Sequence, residues 1–148
     1  MSIRVPTDLL SYVGSSFGET AWHPITQAEV ELFADATHDH QWIHTDPARA
    51  ASGPFGRTVV HGFLTLALIP KFLAELVVIE QIEAVVNYGL NKVRFPAPVP
   101  VGSQVQASIT LADAKQKPAG VEATFAVSIA VRDTDRPACV AEAVVLYR

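Results

Sequence analysis

The spacing of apolar side chains changes period along the chain. Val30, Phe33, Ala34 and Thr37 recur on one helical face, and Thr26 with Glu29 three residues later forms a capping box ahead of them. This predicts a helix over Gln27–Thr37, with Asp39 at or just beyond its end. Asp46 followed by Pro47 supplies a second cap with proline at the first helical position, so ARAA makes a short helical turn that Gly53 and Pro54 stop. An irregular connection, GPFGRTVVHG, then leads into residues 63–78, which are apolar on nearly every side. A helix of that kind is stable when protein surrounds most of it. Pro70 should bend it, because the ring clashes with the carbonyl of Leu66.

After Glu83 the period becomes two. Strands are predicted over residues 84–95, broken near Gly89, and over 103–112, 121–132 and 139–147. The third is clearest, with Val121, Ala123, Phe125, Val127, Ile129 and Val131 on one face. KQKPAG and DTDRPA are turn material and imply sequential antiparallel pairing. A long apolar helix followed by a broad antiparallel sheet predicts an α+β fold in which the sheet wraps the helix. Helices do not alternate with the later strands, which argues against a doubly wound fold.

Length and composition narrow the partners. The 148 residues fit one domain, 1–148, and 49% hydrophobic against 18% charged residues favours an apolar subunit contact, hence a homo-oligomer. A net charge of -4 without a basic stripe argues against a nucleic-acid partner. MSIRVPTDLLSYVG lacks a basic region followed by an apolar core, and Lys71 and Glu75 interrupt the most apolar run, so a soluble, cytoplasmic protein without a membrane span is expected. Cys139, the one cysteine, has no internal disulfide partner and reads as a small buried hydrophobe.

THDHQWIHTDP, residues 37–47, concentrates the candidate chemistry. His38, His40 and His44 with Asp35, Asp39 or Asp46 offer nitrogen and oxygen ligands to zinc or a harder divalent ion, but their spacing selects no set and no HExxH is present. Alternatively, a helix end followed by a turn can fold Asp39 and His44 around one water and share its activation and proton delivery. A capped, solvated loop is the third reading. Gly62 stands where the apolar helix begins, and its N–H can polarise a carbonyl with no side chain in the way; equally, His61 and Gly62 can be a simple helix entry.

The combination of DHQWIH from Asp39 to His44, TDPARAAS, GPFGR and VHGFL resembles the MaoC-like family of (R)-specific enoyl-CoA hydratases, in the hotdog-fold superfamily, and in particular its nodulation-protein N-like subgroup; VNYGLNKVRFPAPVPVG resembles the region after the helix. The resemblance implies a hotdog fold, a long central helix wrapped by an antiparallel sheet, and a lyase that reversibly adds water to a trans-2-enoyl-CoA without metal or cofactor. It places the catalytic aspartate and histidine on Asp39 and His44 and the oxyanion donor on Gly62. It also implies a homodimer with acyl pockets near the subunit boundary. Trp42, Phe63, Leu66 and Phe72 are then candidate acyl-lining residues, and Arg57, Lys92 and Arg94 candidate partners for CoA phosphates. Gln41 and Trp42 stand where the family often has asparagine and proline, and Pro70 where some members have a serine. A hotdog acyl-CoA thioesterase and a noncatalytic acyl-thioester binding protein are the alternatives.

Overall fold

A computed structural model describes residues 3–148; Met1 and Ser2, the first positions of the stretch read above for a targeting signal, lie outside the described residues. The chain opens with a 3-10 turn, Pro6–Tyr12, started by Pro6 and held by Asp8, whose carboxylate accepts the N–H of Arg4 at 2.9 Å. Two short strands follow, β1 (Ser16–Glu19) and β2 (His23–Pro24). Helix α1 spans Gln27–Thr37 as its pattern predicts. The Thr26 hydroxyl accepts the N–H of Glu29 at 3.2 Å, and the Glu29 carboxylate accepts the N–H of Thr26 at 2.9 Å. His38 ends the helix in a left-handed conformation, φ 63°.

Two short helices come next, α2 (Trp42–Thr45) and α3 (Pro47–Ala50), and the Asp46 carboxylate caps the second through the N–H of Arg49 at 3.0 Å. The apolar run predicted as one bent helix over 63–78 is two helices, α4 (Gly62–Ala67) and α5 (Ile69–Leu76). Proline at 70 cannot donate to the carbonyl of Leu66, so the chain tightens just before it. The N–H of Leu68 is shared between the carbonyls of Leu64 and Thr65, at 3.2 and 3.3 Å, as in a 3-10 turn. The run is not surrounded within one chain: Thr65, Ile69, Phe72 and Leu73 are buried, whereas Phe63, Ala67, Pro70 and Ala74 form an exposed stripe at helical spacing.

Four long strands complete the chain: β3 (Val85–Arg94), β4 (Gln104–Lys117), β5 (Gly120–Val131) and β6 (Cys139–Tyr147). The last three pair in sequence, as the turn residues imply, but β3 pairs with β6, giving the antiparallel order β1-β4-β5-β6-β3 with β2 also on β4. Near Gly89 the register of β3 shifts between Asn87 and Gly89 without ending the strand, so the expected break is a bulge. Strand β4 runs past residue 112 because Lys115, Gln116 and Lys117 continue to pair with β5, leaving Pro118 and Ala119 as the turn. The inward face of β5 is as patterned: Val121, Ala123, Phe125, Val127, Ile129 and Val131 are all buried. They pack with Phe72 and Leu73 of α5 in one core, and Cys139 belongs to it, its thiol pushed up to about 11 by burial. This is the α+β hotdog arrangement, with the sheet wrapped around central helices. Among the described residues, no helix is long and apolar enough to cross a membrane.

Candidate active site

Asp39, His44 and His61 bring their ligand-capable atoms within 4.8 Å of one another. Local structure explains the convergence. The left-handed turn at His38 reverses the chain at the end of α1, and Asp39 follows it, half exposed. Helix α2 then carries His44 back beneath the turn, where it is 8% exposed. Gln27 secures this layout from α1: its amide donates to the carbonyl of His44 at 2.8 Å and accepts the Thr58 hydroxyl at 2.8 Å.

The hydrogen bonds define both imidazole tautomers. His44 Nδ1 is 2.6 Å from the carbonyl of Val59, and since a carbonyl only accepts, Nδ1 carries the proton and Nε2 the lone pair. His61 Nε2 is 3.0 Å from the main-chain carbonyl of Asp39, so this ring is protonated at Nε2. The two rings stack with centroids 3.9 Å apart and planes inclined by 23°. Burial holds His44 below the ordinary imidazole value; the bond to Val59 opposes that, His61 lowers it further and Asp39 raises it. An NMR titration should therefore place the His44 midpoint below the ordinary value of about 6.5. In Asp39→Asn the midpoint should fall further, because the carboxylate's field is removed; an upward move would contradict this electrostatic arrangement. Since the folded value is the lower one, this group's contribution to stability is complete above the unfolded value and is lost as pH falls through the folded one.

The same geometry bears on metal binding. Lone pairs lie in the plane of an imidazole, and two stacked rings with centroids 3.9 Å apart and planes only 23° from parallel direct their lone pairs alongside one another more than toward a shared point. The stacked pair fits a hydrogen-bonded proton-transfer site better than a metal site in this arrangement.

Gly62 opens α4 immediately after His61, and its N–H belongs to the first turn, where a helix offers no preceding acceptor. A Cβ at this position would lie 3.2 Å from the Phe95 ring, so glycine permits the close packing. Phe63 is 68% exposed and meets Phe95 edge-on at 6.1 Å. Leu66, one turn on, lines a cavity of about 260 Å³ with Pro70, Leu73, Tyr88, Leu90 and Val145.

The other candidate residues are spread more widely. Phe72 is fully buried, because it projects from the core face of α5 and not toward this cavity. The Trp42 ring is covered by the Arg49 guanidinium at 4.4 Å and abuts Gly53. Arg57 is exposed on the connection before α4, and Arg94 is exposed on β3, its guanidinium on the carbonyl of Val93 at 2.7 Å. Lys92 lines a groove with Ser108, Thr110, Ser128 and Glu142 on the outer face of the sheet. His38 is the helix terminator, and His40 is an exposed partner of Asp35 at 3.6 Å. His61, Gln27 and Thr58 were not assigned to the site from sequence. Only His61 carried a local signal, its place directly before Gly62.

A hotdog fold carrying an aspartate beside a buried histidine at the head of its central helices defines the class. Residues 9–131 match the family model described as MaoC like domain, and the chain belongs to that family. It is 52% identical over 141 residues to 3-hydroxyacyl-thioester dehydratase Z of Mycobacterium tuberculosis, covering 95% of this chain and 93% of that protein. Nodulation protein N of Rhizobium meliloti is 41% identical over 145 residues, covering 91% and 86% respectively. Among solved structures, the (R)-hydratase from A. caviae involved in PHA biosynthesis aligns with TM-score 0.77 and 28% identity, over 92% of this chain and 96% of that one.

Proposed function

We propose that this protein is a hydratase and dehydratase that interconverts trans-2-enoyl and (R)-3-hydroxyacyl thioesters. The observation that carries the proposal is the site tautomer: His44 presents an unprotonated Nε2 in the same small volume as the Asp39 carboxylate, at the start of the helix that offers the Gly62 N–H. The 3-hydroxyacyl-thioester dehydratase named above supports the substrate class.

The thioester carbonyl makes C3 of the enoyl group electrophilic. The Gly62 N–H donates to the carbonyl oxygen and stabilises the charge that develops there. His44 Nε2 takes a proton from water as the water oxygen bonds to C3, and Asp39 positions the water and relays a proton to C2. One water is consumed, and hydroxyl and proton both end on the substrate. Dehydration is the same sequence reversed.

The acyl chain occupies the cavity lined by Leu66, Pro70 and Leu73, with Phe72 supporting α5 from the core. Arg57, Lys92 and Arg94 are the cations available to CoA phosphates. The reading includes a homodimer: β3 is an edge strand with Val85, Val86, Tyr88 and Leu90 exposed, and the apolar stripe Phe63, Ala67, Pro70 and Ala74 is also uncovered. A second copy covering both would close the open side of the acyl cavity.

Incubation with a trans-2-enoyl-CoA, followed by chiral product analysis and thiol detection, tests the reaction. The expected product is the (R)-3-hydroxyacyl-CoA with the thioester intact. Dominant release of free CoA thiol would overturn the reading in favour of a thioesterase.

A further inference from the structure

His61 takes no part in the steps above, yet it touches every part of the site. Its Nε2–H donates to the main-chain carbonyl of Asp39 at 3.0 Å, and its ring lies against His44 at 3.9 Å, with Phe33 at 4.9 Å. Its own carbonyl accepts the N–H of Leu64 and of Thr65, at 3.0 and 3.2 Å, and so fastens the turn that contains Gly62. Asp39 has otherwise weak anchorage: its N–H reaches the Thr37 hydroxyl and its Oδ1 the N–H of Gln41, each at 3.4 Å.

An imidazole serving only as filler would be a costly choice here. His61 is 2% exposed, and its Nδ1 is buried with no hydrogen-bond partner. That carries a desolvation penalty which a phenylalanine of similar size avoids. What phenylalanine lacks is the Nε2–H. Among the described residues this is the one core donor bonded to Asp39, and it offsets the orphaned nitrogen beside it.

We infer that His61 is a positioning residue, pinning the Asp39 main chain through Nε2–H while its ring fixes the plane of His44, so that the aspartate, the histidine and the Gly62 N–H keep one mutual geometry. The inference rests on the hydratase reading of Asp39 and His44. It concerns alignment of the reacting groups and not contact with substrate, so its loss acts on kcat and leaves KM near its starting value.

Two variants separate the donor from the ring. His61→Gln keeps an N–H at similar reach, and His61→Phe keeps size and stacking but removes the donor. His61→Phe should lower kcat for enoyl-CoA hydration about 100-fold at nearly unchanged KM, as a small misplacement of reacting groups does, while His61→Gln should recover at least about ten-fold of that loss. Wild-type kcat in folded His61→Phe, or equal losses in both variants, would overturn the inference. Asp39→Asn and His44→Ala belong in the same assay: if they retain full turnover, the site itself is wrong and the inference falls with it, whereas their inactivity beside a fully active His61→Phe removes the inference alone. Long-range ¹H–¹⁵N spectra of the unmodified protein should show a proton on His61 Nε2. Absence of a proton on Nε2 overturns the inference whether or not the phenylalanine variant folds.

Discussion

His44→Ala should lower the rate of enoyl-CoA hydration by about 10³-fold or more, and Asp39→Asn by at least about 10²-fold, the range expected when a positioned proton-transfer group is lost. The two losses arise differently. Removing the imidazole takes away the Nε2 lone pair and also leaves the Val59 carbonyl, now bonded at 2.6 Å, without its donor. His44→Ala should therefore melt earlier as well, by the equivalent of about 1–3 kcal/mol. Asp39 is half exposed, and its carboxylate has a long bond from Gln41 at 3.4 Å and a 4.0 Å contact with His61 Nε2, so Asp39→Asn should leave the melting temperature almost unchanged. The double variant should be scarcely slower than His44→Ala, because two groups acting on one water do not contribute additively. Unchanged turnover in both purified single variants would refute the assignment.

Gly62→Ala should cost about ten- to a hundred-fold in kcat although the N–H donor remains. The added methyl would sit 3.2 Å from the Phe95 ring, closer than comfortable packing allows, so either the ring or the first turn of α4 must move. Movement of the turn by a few tenths of an ångström re-aims the donor. Adding Phe95→Leu makes room for the methyl and should restore most of the lost rate. If the single variant runs at full rate, contact with Phe95 does not control where the N–H points.

Much of this was legible in the sequence because the signals were local. The capping box fixed the start of α1, alternation fixed the buried face of β5, and Asp46 with Pro47 fixed α3. Pro70 marked a disturbance but not its form, since whether a helix bends or divides depends on how the preceding amide is satisfied, here by shared bonds at Leu68. The strand order was hidden for a related reason: β3 pairs with β6, and neither sequence advertises the other. At the site, Asp39 and His44 lie in one short motif and the fold brings them together, whereas Gln27 lies 17 positions from the histidine whose carbonyl it binds. His61 lay beside a recognised glycine, but its stacking on His44 is a tertiary fact that spacing does not encode.

The joint at Leu68 separates the turn that carries Gly62 from Ile69, Pro70 and Leu73 of the cavity wall. Residues before it carry the His61–Gly62 turn and contribute Leu66 and Ala67 to the cavity wall, and residues after it contribute Ile69, Pro70 and Leu73. Those three residues lie on α5, whereas α4 follows directly from His61, which is tied to the Asp39 carbonyl. On the proposed reading, substrate range can diverge between relatives by substitutions on one short segment, with the chemistry inherited intact on the other.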